Sequence, residues 1–397
     1  MRSGAVRVTA AAARRVRAGH PWVFRDSIRR APAGLEPGAV VPIVDEDGGA
    51  VAAGLWESDG AIAARVFARD PEARLDLAEV KARVERAAMR RRRDPGLPSE
   101  ALRILHGDGE GLPGIAVDRY GDYLVVHRYA RSLEGHMEAI VAALVEVWSP
   151  RGVYVQDRTR PVQPQDRREG ARLVAGRAAP PEVEVVEDEL RFLVDVSAPV
   201  SPGLFLDLRE GRRWFERLAV GRRVLNLFSF TGAFGVRAVR AGADEIVQID
   251  ASARAHARAR KNLVANGFDA EACEAVVGDV FKHLERFASR GRRFDLVVVD
   301  PPPFSRVGRR TFSALEAWPI LVEAAAAVTE EGGRLLAVKN AAGLSSDAFL
   351  EAIGQGAAAA GRRALCVGER GLPPDFPVPA VFAEGHYLDV RLVDLDA

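Results

Sequence analysis

Beyond residue 190, short apolar runs alternate with segments of helical period; the runs fall at 224–228, 246–249, 275–277, 296–299 and 335–338. Runs of that length without polar alternation read as strands buried on both faces, and their regular separation by helices predicts a parallel sheet covered on two sides. VGERGLPPDFPVP then reads as a loop and GHYLDVRLVDL as a last strand. The first 70 residues have another rhythm: a short helical stretch, then AVVPIVDED, GGAVAAGLW and AIAARVF, strand-like runs broken by DEDGG and ESDG. That spacing predicts a small β-barrel. From Pro71, PEARLDLAEVKARVERAAMRRRRD switches to a helical period, strand-like runs return from Leu105, and a further helix is expected over about 133–148, followed by GVYVQDR. Three domains are therefore expected, 1–70, 71–190 and 191–397, with AGRAAPP at 175–181 as a linker.

At 397 residues with 48% hydrophobic composition, the chain has ample apolar surface for several cores. Only Cys273 and Cys366 occur, each inside a short apolar run, so both are expected as buried reduced thiols in a cytoplasmic protein. The Arg- and Ala-rich N-terminus lacks a signal-peptide core, and no stretch approaches the ~20 apolar residues of a membrane span. Net charge is +1, but the basic residues are nearly all Arg and bunch at Arg14/Arg15/Arg17, Arg90 to Arg93, Arg167/Arg168, Arg292/Arg293 and Arg306/Arg309/Arg310. Solvated helix faces and phosphate contacts both account for such bunching, and composition does not choose between them. The seven histidines show no metal-ligand spacing, so no metal is expected. Neither a Ser-His-acid nor a paired-carboxylate arrangement is recognisable, which leaves hydrolysis without support.

The candidate cofactor site is VLNLFSFTGAFGVRAVRAGADEIVQID, 224–250. Ligands of doubly wound sheets sit at the carboxyl ends of the strands. Asn226, Phe228 and Ser229 would end the first strand, Thr231 and Gly232 form the turn, and Asp250 ends the second strand, where a carboxylate can accept the hydroxyls of a ribose. Asp279 and Val280, in VVGDVF after the third run, would lie beside the base of the same nucleoside. A dinucleotide site would carry G-x-G-x-x-G, whereas this turn reads S-F-T-G-A-F. One glycine and one acid suit a nucleoside with a short amino-acid tail, S-adenosylmethionine, although an ordinary α/β turn reads the same way. The candidate chemical site is FDLVVVDPPPFSR, 294–306, where a strand runs into Asp300, three prolines and Phe304. Proline fixes φ, so the carboxylate and an aromatic face for stacking a base are held on a stiff loop.

With DPPPF, NLFSFTGAF and VQID in this order, the chain resembles the S-adenosylmethionine-dependent rRNA methyltransferases, and most of all the bacterial large-subunit (23S) rRNA methyltransferase I family. GHPWVFRDSI at 19–28, GEGLPGIAVDRYGDYLVV at 109–126 and SPGLFLDLREGR at 201–212 extend the similarity over essentially the whole chain. The resemblance implies an N-terminal PUA domain, an α+β middle domain and a Rossmann-like class I methyltransferase domain with a seven-stranded mixed sheet. It also implies S-adenosylmethionine contacts at Phe228, Thr231, Gly232, Asp250 and Asp279, target-base contacts near Asp300 and Phe304, and 23S rRNA or a large-subunit assembly intermediate as partner. Arg14, Arg15 and Arg17 are the candidate phosphate contacts of the PUA domain. Oligomeric state is left open, a homodimer among the options.

One departure bears on mechanism. That family methylates C5 of cytosine, and the resemblance implies a Cys thiolate that adds to C6 first; the matching position, in GGRLLAVKNAAGLSSDAF at 332–349, holds Asn340. Ser201-Pro202 and Pro303 also stand where Lys-Thr and Lys are common. These positions look closer to the N7-guanine methyltransferase domain of the bifunctional large-subunit enzyme, which likewise reads G-L-F-L-D, D-P-P-x-F-S and Asn. The expectation is base methylation at a nitrogen, guanine N7 favoured, with Asn340 orienting the base or capping its strand. Cytosine-C5 methylation, a non-catalytic S-adenosylmethionine- and RNA-binding module and a small-molecule methyltransferase are the alternatives.

Overall fold

The computed structural model describes residues 4–159, 169–302, 305–307, 310–312, 314–341 and 343–396. Strands Arg223–Leu227 (β1), Glu245–Asp250 (β2), Glu274–Val277 (β3), Phe294–Val299 (β4), Thr329–Asn340 (β5), Arg363–Arg370 (β6) and Leu388–Asp396 (β7) hydrogen-bond in the order β3-β2-β1-β4-β5-β7-β6. The first five are parallel, and β7 is antiparallel to both of its neighbours. Val247, Leu225, Val297 and Leu335 stand in register across four strands with no exposed surface. Burial on both faces is why these strands show no polar alternation.

The covering helices are Arg209–Leu218 (α1), Ala233–Ala241 (α2), Ala253–Ala265 (α3), Val280–Ser289 (α4), Ala314–Ala326 (α5) and Ser346–Ala359 (α6). Side chains start three of them: Ser252, Asp279 and Ser345 accept from the main-chain N–H groups of Ala255, Lys282 and Ala348, each cap contributing roughly 1 kcal/mol. Leu321, Val322, Phe349 and Ile353 of α5 and α6 join the sheet residues in one core. On α1 and α2, Phe215 meets Phe234 edge to face with centroids 5.0 Å apart, and Glu216 accepts from Arg237 at 2.7 Å and from Arg240.

The chain forms two compact units. The sheet just described belongs to the unit Glu189–Leu193, Gly203–Pro373 and His386–Ala397; the other comprises Met1–Asp188, Val194–Pro202 and Pro374–Gly385. This second unit holds a six-stranded sheet drawn from residues 6–68 and a five-stranded sheet drawn from 101–176. Three strands of the former, Val6–Val8, Trp22–Phe24 and Ile28–Arg30, are too short to show a period in sequence. The two sheets share a core, in which Ala53, Leu55 and Phe67 pack with Val84, Leu105, Val117 and Leu144.

Three expectations are corrected. Strand Arg172–Gly176 pairs antiparallel to Gly152–Asp157, so the first residues of the expected linker are sheet; main-chain pairing outweighed the turn-like composition. Val367–Arg370, read as loop, belong to β6, and Pro374–Gly385 pack within the N-terminal unit. There the buried Asp375 accepts from the N–H of Arg103 at 2.8 Å, and the Arg103 guanidinium lies 4.2 Å from the Phe376 ring centre. Finally, Cys273 is buried but Cys366 is exposed, because β6 is an edge strand of its sheet.

Candidate active site

Strand order reverses around β1, which lies between β2 and β4. The chain leaves β1 through two left-handed non-glycine residues, Phe228 at φ 58° and Phe230 at φ 47°. Such conformations cost on the order of 1–3 kcal/mol each and persist only where their surroundings impose them. Here the N–H of Ser229 donates to the carbonyl of Ile249 at 3.0 Å and the N–H of Phe230 to Oδ2 of Asp250 at 2.8 Å. The Thr231 hydroxyl donates to the carbonyl of Gly203, and Nδ2 of Asn262 donates to the carbonyl of Thr231 at 2.9 Å. Gly232 follows at φ 76°, where a Cβ would stand 2.6 Å from that of Ala259. Glycine is required there both for conformation and for the close approach of α3.

Two polar atoms beside this turn have no partner among the described residues: Oδ1 of Asn226 and Oγ of Ser229, on residues 1% and 7% exposed. A buried polar atom left unsatisfied costs about 1–3 kcal/mol, and its presence at a strand end calls for a ligand or water. The carboxylate of Asp250 accepts from Phe230 N through Oδ2 and from Ser252 N through Oδ1. Each carboxylate oxygen has a second lone pair, so acceptor capacity remains for ribose hydroxyls. Beside Asp250 the chain continues from β3, with Gly278 N donating to the Asp250 carbonyl at 3.0 Å. Asp279 follows, one oxygen capping α4, and Val280 is buried beneath it. Asn226, Phe228, Ser229, Thr231, Gly232, Asp250, Asp279 and Val280 thus lie at the carboxyl ends of three adjacent strands, a donor and acceptor set that fits an amino-acid-bearing nucleoside.

Asp300 follows β4 directly, one residue beyond Val299, which pairs with Leu227 on one side and Ala337 on the other. Loss of water around its carboxyl, reinforced by the Asp207 carboxylate and opposed by the Arg212 guanidinium, pushes its pKa up to about 7. The hydroxyl of Tyr387 donates to Oδ2 of Asp207 at 2.8 Å. Neither residue was anticipated. Asp207 lies inside the SPGLFLDLREGR motif, but Tyr387 is 180 residues away and no local pattern joins them. Asn340 ends β5, half-buried, and the preceding Lys339 is buried with its ammonium donating to the carbonyl of Leu344 at 2.8 Å. Phe304 and Pro303 lie outside the described residues.

Neither thiol reaches this edge. Cys366 pairs with Val393 and Val393 with Leu335, five residues before Asn340, or about 16 Å along the strand. Cys273 precedes Glu274, which pairs with Val247 toward the opposite end of the sheet, and burial pushes its thiol up to about 12. In the N-terminal unit, Arg14, Arg15 and Arg17 are exposed on helix Ala10–Arg17. Arg15 pairs with Glu384 at 3.4 Å and Arg17 with Asp45 at 2.7 Å. Among the described residues no cluster of three His, Cys, Asp or Glu could hold a metal ion, and no helix is long and apolar enough to cross a membrane.

Residues 103–384 match the family described as S-adenosylmethionine-dependent methyltransferase, and residues 6–69 match a PUA-like domain. Ribosomal RNA large subunit methyltransferase I of Shigella boydii serotype 18 is 32% identical over 372 residues, 93% of each chain. The protein of the same name from Escherichia coli O157:H7 shows the same identity and coverage. Among solved structures, SMU.776, described as a methyltransferase complexed with SAH, superposes with a TM-score of 0.89 over 98% of this chain and all of that one; at 22% identity this is a likeness of fold. The chain therefore belongs to the S-adenosylmethionine-dependent methyltransferases, in the ribosomal RNA large subunit methyltransferase I family, and S-adenosylmethionine is its cofactor.

Proposed function

We propose that this enzyme methylates a base of 23S rRNA in the cytoplasm, on the free RNA or an assembly intermediate of the large subunit, and that the accepting atom is a nitrogen, guanine N7 first among them. The names of the relatives support the rRNA substrate, as does the PUA-like domain. In this reading residues 1–70 and 71–190 are RNA-facing modules and 191–397 the catalytic one. Arg14, exposed and outside any ion pair between described residues, is the phosphate contact on the first helix that is most readily available. Arg15 and Arg17 would exchange their carboxylate partners for phosphate.

Asp250 holds the ribose, Asp279 and Val280 flank the adenine, and Asn226, Phe228, Ser229, Thr231 and Gly232 enclose the methionine tail. The bound cofactor supplies an electrophilic methyl on a sulfonium. Guanine N7 already owns a lone pair, so the chain need only align that lone pair with the methyl and exclude water. Transfer forms one N–C bond, breaks one S–C bond and leaves S-adenosylhomocysteine. Ionised Asp300 accepts N–H groups from the base edge, Phe304 stacks on its face, and Asn340 orients it through its amide.

The observation that carries the nitrogen assignment is Asn340 at the end of β5 with both thiols remote. Cytosine C5 needs a nucleophile to make that carbon electron-rich. A C273S/C366S variant is therefore expected to methylate 23S rRNA at a rate within twofold of the parent. A hundredfold loss, with S-adenosylhomocysteine affinity unchanged, would restore a thiolate mechanism.

A further inference from the structure

We propose that one end of the five-stranded sheet in the N-terminal unit is a docking surface for RNA backbone, separate from the helix that carries Arg14. The inference rests on rRNA being the substrate. Five arginines lie on segments that adjoin the end of helix Met137–Trp148, and two of them stack at Trp148. The guanidinium carbons of Arg92 and Arg119 each lie 5.8 Å from the Trp148 ring centre. Arg92 ends helix Leu77–Arg92, and Arg93 is its exposed C-cap. After Trp148, Ser149 turns the chain through φ 45° to Arg151, whose N–H donates to the carbonyl of Asp122 at 2.7 Å. Arg177 N donates in turn to the Arg151 carbonyl at 2.8 Å, and Nε of Arg119 donates to the Gly121 carbonyl at 2.8 Å. Main-chain pairing and the contacts at Trp148 therefore bring the segments that carry the five arginines to one rim.

What separates this rim from scattered solvated charge is that arginines without ion pairs gather on adjoining segments, two of them against one indole. Several exposed arginines elsewhere in the same unit are paired, Arg17 with Asp45, Arg29 with Glu46, Arg86 with Glu79 and Arg131 with Asp59, while others such as Arg14, Arg30 and Arg74 stand singly without an ion pair among the described residues. Among the described residues, none of Arg92, Arg93, Arg119, Arg151 and Arg177 forms an ion pair. The connections that carry them also hold Asp94, Glu100, Asp122 and Glu182; Oδ1 of Asp94 accepts from Gly96 N at 2.9 Å and Oε2 of Glu100 from Val186 N at 3.0 Å. Stacking over Trp148 also restricts Arg92 and Arg119, so less side-chain entropy is lost when their N–H edges meet phosphate. A chain of phosphates a few ångströms apart matches such a cluster better than a single small anion does.

The test measures binding of the full-length protein to transcribed 23S rRNA as a function of salt. It compares R93Q/R151Q/R177Q with a charge-matched control, R260Q/R334Q/R363Q, whose arginines are half-buried (Arg260, Arg334) or exposed (Arg363) and paired with Glu271, Asp394 and Asp396. Each lost phosphate contact flattens the slope of log K against log salt by about 0.7–0.9. The rim variant should therefore lose about 2–3 from that slope and bind at least tenfold more weakly at 0.15 M salt, with S-adenosylhomocysteine affinity unchanged. The control should keep the parental slope. A rim variant with parental slope and affinity, or a control equally weakened, overturns this inference alone. A parent protein that binds no rRNA overturns it together with the rRNA reading.

Discussion

The N–H of Phe230 donates to Oδ2 of Asp250 at 2.8 Å, so the carboxylate that ends β2 also secures the left-handed turn that leaves β1. In the proposed reading, cofactor contact and loop shape are coupled through this one side chain.

Replacing Asp250 with Ala removes the proposed ribose acceptor and the anchor of the turn together. Hydrogen bonds to a charged group are worth about 1.5–3 kcal/mol, so affinity for S-adenosylhomocysteine should fall roughly 15- to 150-fold by calorimetry. Binding within twofold of the parent would place the ribose elsewhere.

Asp300 gives a pH-dependent prediction. Its folded pKa, about 7, lies above the ordinary carboxylate value near 3.9. The unfolded chain therefore gives up this proton more readily, and the group's penalty on folding grows as pH rises from about 4 to 7 and levels off above. D300N should stabilise the protein by roughly 1–3 kcal/mol at pH 8, and by much less at pH 4, while abolishing methyl transfer. In the parent, kcat/KM should fall on the acid side of about pH 7 as the carboxylate is protonated. Equal melting shifts at the two pH values would contradict the burial of this charge.

The order of apolar runs revealed the sheet because strands buried on both faces leave a predominantly hydrophobic signature, interrupted here only by the buried Asn226 and Gln248 within the first two runs, and Val247, Leu225, Val297 and Leu335 stand in register among them. The placement of Asp250 and Asp300 at strand ends was legible for the same reason: each is the first charged residue after such a run. Contacts between distant segments were not. Tyr387 reaches Asp207 across 180 residues, and the Pro374–Gly385 segment joins the N-terminal unit through the buried Asp375. Neither relation leaves a local period or turn signature. Composition misled at Cys366, since an apolar run on an edge strand looks like one in the core.

Glu216 ties α1 to α2 by accepting from Arg237, itself 1% exposed, and from Arg240. These guanidiniums hold its carboxyl below the usual range, against the effect of burial. A depressed folded pKa contributes stability above the unfolded value near 4.3, and that contribution is lost as pH falls through the folded one. E216Q should cost about 2–4 kcal/mol at pH 7 in denaturant titration, because it strips the negative charge from a buried cation. Parent and variant should converge below about pH 4. An unchanged midpoint at pH 7 would show that the pair contributes little.

The most direct test is mass spectrometry of nuclease fragments from 23S rRNA after incubation with the enzyme and S-adenosylmethionine, joined to chromatography of the released nucleosides against standards, since fragment masses report the site and retention separates isomers by base and atom. The expected product is a single new 7-methylguanosine, or failing that another N-methylated base. A new 5-methylcytidine, formed by a chain with Asn340 where a thiolate is needed, would contradict the mechanism.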